Sequence, residues 1–235
     1  MPEIYDVVVV GSGNAGFCAA HAAREYAEHV LIVEKAPRAW AGGNSYFTAG
    51  ATRTTFTTLD DLRPILTDLT DAQAAAVELP PYTPEQFMAD MVRVTEGRCD
   101  RALASILVND AAAVVRWMHA KGIRWKLMYE RQSFTVDGKS RFFGNLPLGT
   151  VGEGKGLIAQ HTAAALASGI EIRYDTPVVG LLRDDRGTVI GVVVDRPEGR
   201  AEITARAVVL ASGGFEADPM RRAAYLGPNW DVAKV

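Results

Sequence analysis

The chain has 235 residues, 48% of them apolar, which is enough for one large or two small domains with a packed core. A net charge of −3, a sequence pI near 5.8 and the lack of any Lys/Arg-rich run with interleaved aromatics exclude nucleic acid as an expected partner. No cationic segment precedes residue 5 and no apolar stretch approaches the length that spans a bilayer, so a cytoplasmic protein is expected.

The first predicted element is a buried parallel strand over residues 5–10, an apolar run that leads straight into Gly11-x-Gly13-x-x-Gly16 and an Ala-rich helix. A second apolar run, residues 29–33, ends on Glu34, 23 residues past Gly11. Strand, glycine turn, helix, strand and acid in that order make the dinucleotide fingerprint. Gly11 permits the turn, Gly13 lets backbone approach a pyrophosphate, and Gly16 lets the helix pack against the strand. The helix N-terminus offers N–H groups and a positive dipole end to the phosphates. Glu34 is suited to both ribose hydroxyls, and its charge disfavours a 2′-phosphate. Cys18, in this helix, and the distant Cys99 form neither a C-x-x-C redox pair nor a zinc site, so both read as packing residues.

Residues 35–50 are rich in glycine and small polar side chains and read as a loop that supplies backbone N–H groups, with Asn44, Ser45 and Thr48 as side-chain donors. After a weakly patterned stretch, Thr83-Pro84-Glu85-Gln86 is a capping box with Pro at the first helical position. Asp100 opens a second helix whose apolar face is expected to be Leu103, Ile106, Leu107, Val114, Trp117 and Met118, ending at Gly122. A hairpin turning at Asp137-Gly138 follows. Gly152, Gly154 and Gly156 read as a linker into a helix over residues 157–167, with no buried strand leading into them. A strand over 170–174 then returns the chain in the α/β manner. Runs at 178–183, 188–195 and 203–211, separated by Asp/Gly and Pro/Gly turns, predict a β-meander. Its last strand ends in Ala211-Ser212-Gly213-Gly214, a second place for backbone to approach a nucleotide. His21, His29, His119 and His161 show no metal-ligand spacing, and no metal is expected.

This succession resembles the flavoprotein subunits of the succinate dehydrogenase/fumarate reductase family over essentially the whole chain. Within it, residues 36–45, the Pro81-Tyr82-Thr83 helix start and the Ala211-Ser-Gly-Gly-Phe215-Glu216 end look most like the FAD-dependent tricarballylate dehydrogenases. The resemblance implies an α/β, Rossmann-like FAD-binding fold of the glutathione-reductase type with a β-meander and an inserted helical segment. Residues 1–50 and 150–235 would form the FAD-binding domain and 51–149 the mainly helical insertion. FAD would be held by Gly11, Gly13, Asn14, Ala15, Gly16, Glu34, Lys35, Gly43, Asn44, Ser45, Thr48, Ala49, Gly50, Val178, Ala211, Ser212, Gly213 and Gly214. Tyr46 stands where the family's covalently flavinylated members carry the linking histidine, which implies non-covalent FAD.

The implied reaction is dehydrogenation of a small polycarboxylate, tricarballylate to cis-aconitate, by hydride transfer to flavin N5. The alternatives are a fumarate reductase/succinate dehydrogenase-like or 3-ketosteroid dehydrogenase-like flavoenzyme, or an inactive FAD-binding fragment. A pyridine-nucleotide disulfide reductase would need a second G-x-G-x-x-G and a cysteine pair. Electrons are expected to leave to a separate redox protein, because the chain has no second nucleotide fold and no cysteine cluster; the resemblance implies that this partner is iron–sulfur or haem-containing and membrane-associated. Family members run to about twice this length, so a catalytic cap domain is expected beyond residue 235, and these residues alone are not expected to turn over. No catalytic residue is assigned: Arg53 and Arg141 are the arginines considered for a carboxylate, and an exposed surface role is the expected reading of each.

Overall fold

The computed structural model describes residues 4–143 and 145–234. In chain order the elements are β1 (Ile4–Val10), α1 (Asn14–Arg24), β2 (Val30–Val33), α2 (Gly43–Phe47), α3 (Asp71–Ala75), β3 (Val77–Glu78), α4 (Pro84–Val94) and α5 (Arg101–Ala120). They continue as β4 (Trp125–Leu127), α6 (Tyr129–Gln132), β5 (Ser133–Val136), β6 (Lys139–Phe142), β7 (Leu148–Thr150) and α7 (Glu153–Ala167). The last are β8 (Glu171–Arg173), β9 (Val178–Arg183), β10 (Val189–Arg196), β11 (Gly199–Leu210) and α8 (Pro219–Leu226).

The chain divides into two compact units, one formed by Ser45–Ser168 and the other by the residues on either side of it. This division places α7 and the segment from Ser45 to Gly50 with the insertion, whereas the sequence reading assigned both to the FAD-binding part. The physical reason is local: the glycine-rich start of α7 is stitched to residues 48–50 by backbone hydrogen bonds, Gly154 N–H to Thr48 O at 2.9 Å and Thr150 N–H to Gly50 O at 3.1 Å.

The first unit is built on a six-stranded sheet in the order β8-β2-β1-β11-β10-β9. β1 pairs in parallel with β2 on one side and β11 on the other, and β2 pairs in parallel with β8. β11, β10 and β9 run antiparallel, which is the expected meander. Strands flanked on both sides in a covered sheet read as continuous apolar runs, and all four residues of β2 are buried. Val8, Leu31, Val192, Val194 and Ile203 form the fully buried centre of one side. Helix α1 buries Gly16, Phe17, Ala20 and His21. Register levels the ends of β1 and β11, Val10 against Leu210, so the turns that leave these two strands lie side by side. In open α/β sheets this is where ligands bind, outside the carboxyl ends of neighbouring strands whose connections diverge.

In the second unit the capping box is present: Thr83 Oγ1 accepts from Gln86 N–H, Gln86 Oε1 accepts from Thr83 N–H, and Pro84 takes the first helical position of α4. Asp100 caps α5 by accepting from Ala102 and Leu103 N–H. The buried stripe of α5 is Ala104, Val108, Ala111, Val115 and Met118. That corrects the expected face: Met118 alone is shared, while Leu103, Ile106, Leu107 and Val114 are exposed. The helix carries two apolar stripes side by side, and the smaller Ala/Val stripe is the one that packs closely. The hairpin turns at Asp137 and Gly138, with φ of 52° and 75°, the positive pair that a two-residue turn between twisted strands requires. A fully buried β7 leads directly into Gly152 and α7, which begins at Glu153. The expectation that no buried strand precedes these glycines is therefore overturned.

Candidate functional site

The turn after β1 is shaped by contacts that only glycine permits. Gly11 has φ of +104°, and a Cβ on it would lie 2.6 Å from the Ala211 carbonyl oxygen. A Cβ on Gly16 would lie 1.9 Å from the Gly11 carbonyl oxygen, so Gly16 seats α1 against the turn itself. Gly13 is the N-cap, extended at φ −74° and ψ 179°, and no side chain caps the helix. The N-terminal N–H groups of α1 therefore point past a residue with no side chain, an arrangement that fits a phosphate. Ala15 is exposed and Gly13 and Asn14 are half-buried beside it.

Glu34, at the end of β2, is 7% exposed. Its Oε2 accepts from Ser12 N–H at 2.9 Å and from Ser12 Oγ–H at 2.7 Å, and its Oε1 accepts from Ala36 N–H at 2.9 Å. The backbone of Glu34 is held as well, donating to Arg173 O and accepting from Thr176 N–H. The acid thus touches the glycine turn directly. Ser12, fully buried, was missed by the sequence reading; the signal that finds it is a hydroxyl at the first variable position of the glycine motif, opposite an acid at the end of the next strand. Lys35 is exposed.

The turn after β11 lies beside the first. Ala211 N–H donates to Val10 O at 2.9 Å. Ser212, Gly213 and Gly214 are exposed, and Gly213, with φ +77°, has nothing within 4 Å of a Cβ position. Gly43 and Asn44 are exposed at the start of α2, where the sequence reading expected irregular loop. The glycines at 42 and 43, with φ of 109° and 53°, supply the reversal from which this short helix starts. Val178 lies on β9, separated from β1 by β10 and β11, and packs against the sheet's core. It follows by two residues Thr176, whose N–H donates to Glu34 O at 2.9 Å, so the start of β9 lies near the end of β2.

Ser45, Thr48, Ala49 and Gly50 fall in the second unit. Thr48 Oγ1 donates to Ser45 O and accepts from Gly50 N–H, both at 3.0 Å, so this hydroxyl organises its own loop. Gly50, buried at φ +66°, would place a Cβ 2.1 Å from Thr150 Oγ1. Arg53 donates to the buried Tyr82 hydroxyl at 2.9 Å and pairs with Asp90 at 3.3 Å. Arg93 beside Asp90 holds its carboxyl below the usual range. Arg141 pairs with Glu78 at 2.6 Å. Both arginines considered for a substrate carboxylate are thus engaged by acids of their own unit. In the first unit, burial pushes the Cys18 thiol up to about 11, in keeping with a packing role.

An uncapped helix N-terminus, a turn with glycine at 11, 13 and 16 and a carboxylate fixed at the end of β2 fit an adenine dinucleotide. Residues 6–232 match the model of the family described as the FAD binding domain. The chain belongs to the FAD-binding domain family of the succinate dehydrogenase/fumarate reductase flavoproteins. FAD is therefore the cofactor of this FAD-binding domain, as the sequence reading expected. The chain is 32% identical over 228 residues to a fumarate reductase (cytochrome) of Shewanella frigidimarina, covering 97% of this chain and 36% of that protein. It is 27% identical to a urocanate reductase of Eggerthella lenta, covering 96% of this chain and 34% of that protein. Among solved structures it superposes on the open conformation of a flavocytochrome c3 fumarate reductase with a TM-score of 0.69 and 29% identity, covering 95% of this chain and 36% of that one. A 3-ketosteroid-Δ4-(5α)-dehydrogenase from Rhodococcus jostii RHA1 superposes with a TM-score of 0.72 over 95% of this chain and 48% of that one; at 22% identity, this is a likeness of fold alone. The FAD-binding domain spans about a third of the length of these curated relatives.

Proposed function

We propose that this chain is the FAD-binding part of an oxidoreductase that acts on a carbon–carbon bond next to a carboxylate, in the manner of a fumarate reductase or succinate dehydrogenase. The observation that carries the reading is the glycine turn at Gly11–Gly16 joined to Glu34 and level with Ala211, in a chain matched nearly end to end by fumarate reductases. FAD bound there supplies two-electron transfer to or from the substrate carbons. The chain's own residues bind and orient. The α1 N-terminus and Gly13 receive the pyrophosphate, Glu34 takes the adenosine ribose, and Ser212–Gly214 bring backbone up to the nucleotide. Gly43 and Asn44, exposed at the start of α2, are assigned to the flavin half.

The names of the relatives favour the substrate class. Fumarate and urocanate are both α,β-unsaturated carboxylates, so a reaction in the reducing direction on an acid of this kind is better supported than oxidation of tricarballylate, whose product cis-aconitate belongs to the same chemical class. A relative named for a cytochrome supports a haem-type electron donor or acceptor as partner. Non-covalent attachment follows from Tyr46, a phenol where the family's linked members carry histidine. A cytoplasmic location remains part of this proposal. No carboxylate-binding role is given to Arg53 or Arg141, because Asp90 and Glu78 already engage them.

The test is spectral and then catalytic. The purified full-length oxidoreductase should show oxidised-flavin absorption, release that flavin on acid precipitation, and oxidise a reduced viologen dye on addition of fumarate or another α,β-unsaturated acid. A flavin that stays with the precipitate contradicts the non-covalent reading. A flavoprotein that leaves fumarate, urocanate and tricarballylate all untouched contradicts the substrate class.

A further inference from the structure

Ser12 occupies a position that the nucleotide fingerprint leaves unspecified, yet it is wholly buried and spends both of its donors on one oxygen of Glu34. A carboxylate has about four lone-pair positions. Ser12 takes two on Oε2 and Ala36 N–H takes one on Oε1, which leaves one acceptor position, on Oε1, for a ligand. With Glu34 N–H and C=O also bonded, neither the backbone nor the carboxylate can turn without breaking a buried hydrogen bond.

We propose that Ser12 is a positioning residue: its hydroxyl commits Oε2 to the glycine turn and leaves Oε1 as the acceptor that reads a single ribose hydroxyl of the adenosine. The inference rests on the FAD reading above and adds a residue and a stoichiometry to it. A carboxylate free to turn would take both hydroxyls and distinguish neither; one pinned through Ser12 distinguishes the hydroxyl it faces from its neighbour. Ser12 is suited to this because Gly11 and Gly13 flank it, so its side chain alone of the three reaches β2. The hydroxyl also links the phosphate-binding turn to the ribose acid, so phosphate and ribose recognition are set by one connected group of atoms.

The test compares ADP, 2′-deoxy-ADP and 3′-deoxy-ADP by calorimetry on the 235-residue chain freed of flavin. The wild type is expected to bind one deoxy analogue at least about tenfold more weakly than ADP and the other within about threefold, the scale of one lost charged hydrogen bond. In Ser12→Ala, shown folded by circular dichroism, the tenfold preference is expected to fall below about threefold while ADP itself still binds. In a Glu34→Gln background the same Ser12→Ala change is expected to alter the preference no further, because the two side chains act as one unit. Equal weakening of all three nucleotides by Ser12→Ala overturns the positioning role, since that is what a merely structural hydroxyl does. Equal losses for the two deoxy analogues in the wild type overturn the single-hydroxyl reading. A wild-type chain that binds neither ADP nor FAD overturns the FAD reading and this inference together.

Discussion

Two glycine turns in this chain share one local pattern and differ in what lies in front of them. Each follows a buried strand, opens a helix and lacks a side-chain cap: β1 into α1 at Gly11–Gly16, and β7 into α7 at Gly152–Gly156. In the first, Gly13 leaves the helix N-terminus uncovered and the next turn offers Gly213 with open space around it. In the second, the space is filled with carbonyl oxygens. A Cβ on Gly154 would lie 2.4 Å from Ser45 O, 2.6 Å from Tyr46 O and 2.7 Å from Thr48 O, and Gly154 N–H already donates to Thr48 O. Glycine leaves a helix N-terminus uncovered in one turn and permits a chain crossing in the other. A ring of carbonyl oxygens repels a phosphate, so the second turn is structural.

Substitutions separate the two roles. Gly16→Ala drives a Cβ into the Gly11 carbonyl and should cost about 3 kcal/mol of stability, with FAD binding lost in the same variant. Gly154→Ala should cost about 1–3 kcal/mol in thermal unfolding through the same kind of clash, yet leave ADP affinity within about twofold of wild type. A Gly154→Ala protein that keeps its stability and loses ADP would reverse the two assignments. Next in size is a chemical contrast inside α1. With its thiol raised to about 11, Cys18 carries roughly one thiolate in a thousand at pH 8, so iodoacetamide should label it on the order of a hundred times more slowly than an ordinary thiol. The rate should rise tenfold per pH unit up to that value; labelling at the ordinary rate would show that burial of α1 does not hold.

The same comparison explains what could be read before the fold was seen. The first turn was legible because its constraints are local and cumulative: a four-valine run, three glycines at fixed spacing, and Glu34 at the end of the next apolar run. The Thr83 capping box and the Asp137-Gly138 hairpin were legible for the same reason. β7 was not, because Leu148-Gly149-Thr150 is three residues long and two of them are not apolar; burial there comes from pairing with β4 and the bridge to Ala51. The orientation of α5 was hidden by having two apolar stripes at helical spacing. Packing of Ala and Val chose between them, and larger side chains stayed outside. The Ser12–Glu34 contact joins residues 22 apart and depends on β1 and β2 lying side by side in parallel register, which no local pattern states.

Smaller effects sharpen the contrast further. Glu34→Gln removes the charge that three donors share and should weaken ADP by about 1–3 kcal/mol, read by calorimetry. Unchanged affinity would remove Glu34 from the nucleotide site. The smallest effect belongs to the second turn: Lys155 lies 5.7 Å over the Tyr46 ring, and Lys155→Ala should change ADP affinity by less than about twofold, the scale of a removed surface charge. A tenfold loss would mean that the second turn holds phosphate after all.

The most direct test of the central claim is a titration of FAD into flavin-free protein, followed by quenching of flavin fluorescence, with ADP and NAD as competitors. The account predicts saturation at one FAD per chain and displacement by ADP, with NAD competing only weakly; two nucleotides per chain, or preferential displacement by NAD, would contradict it.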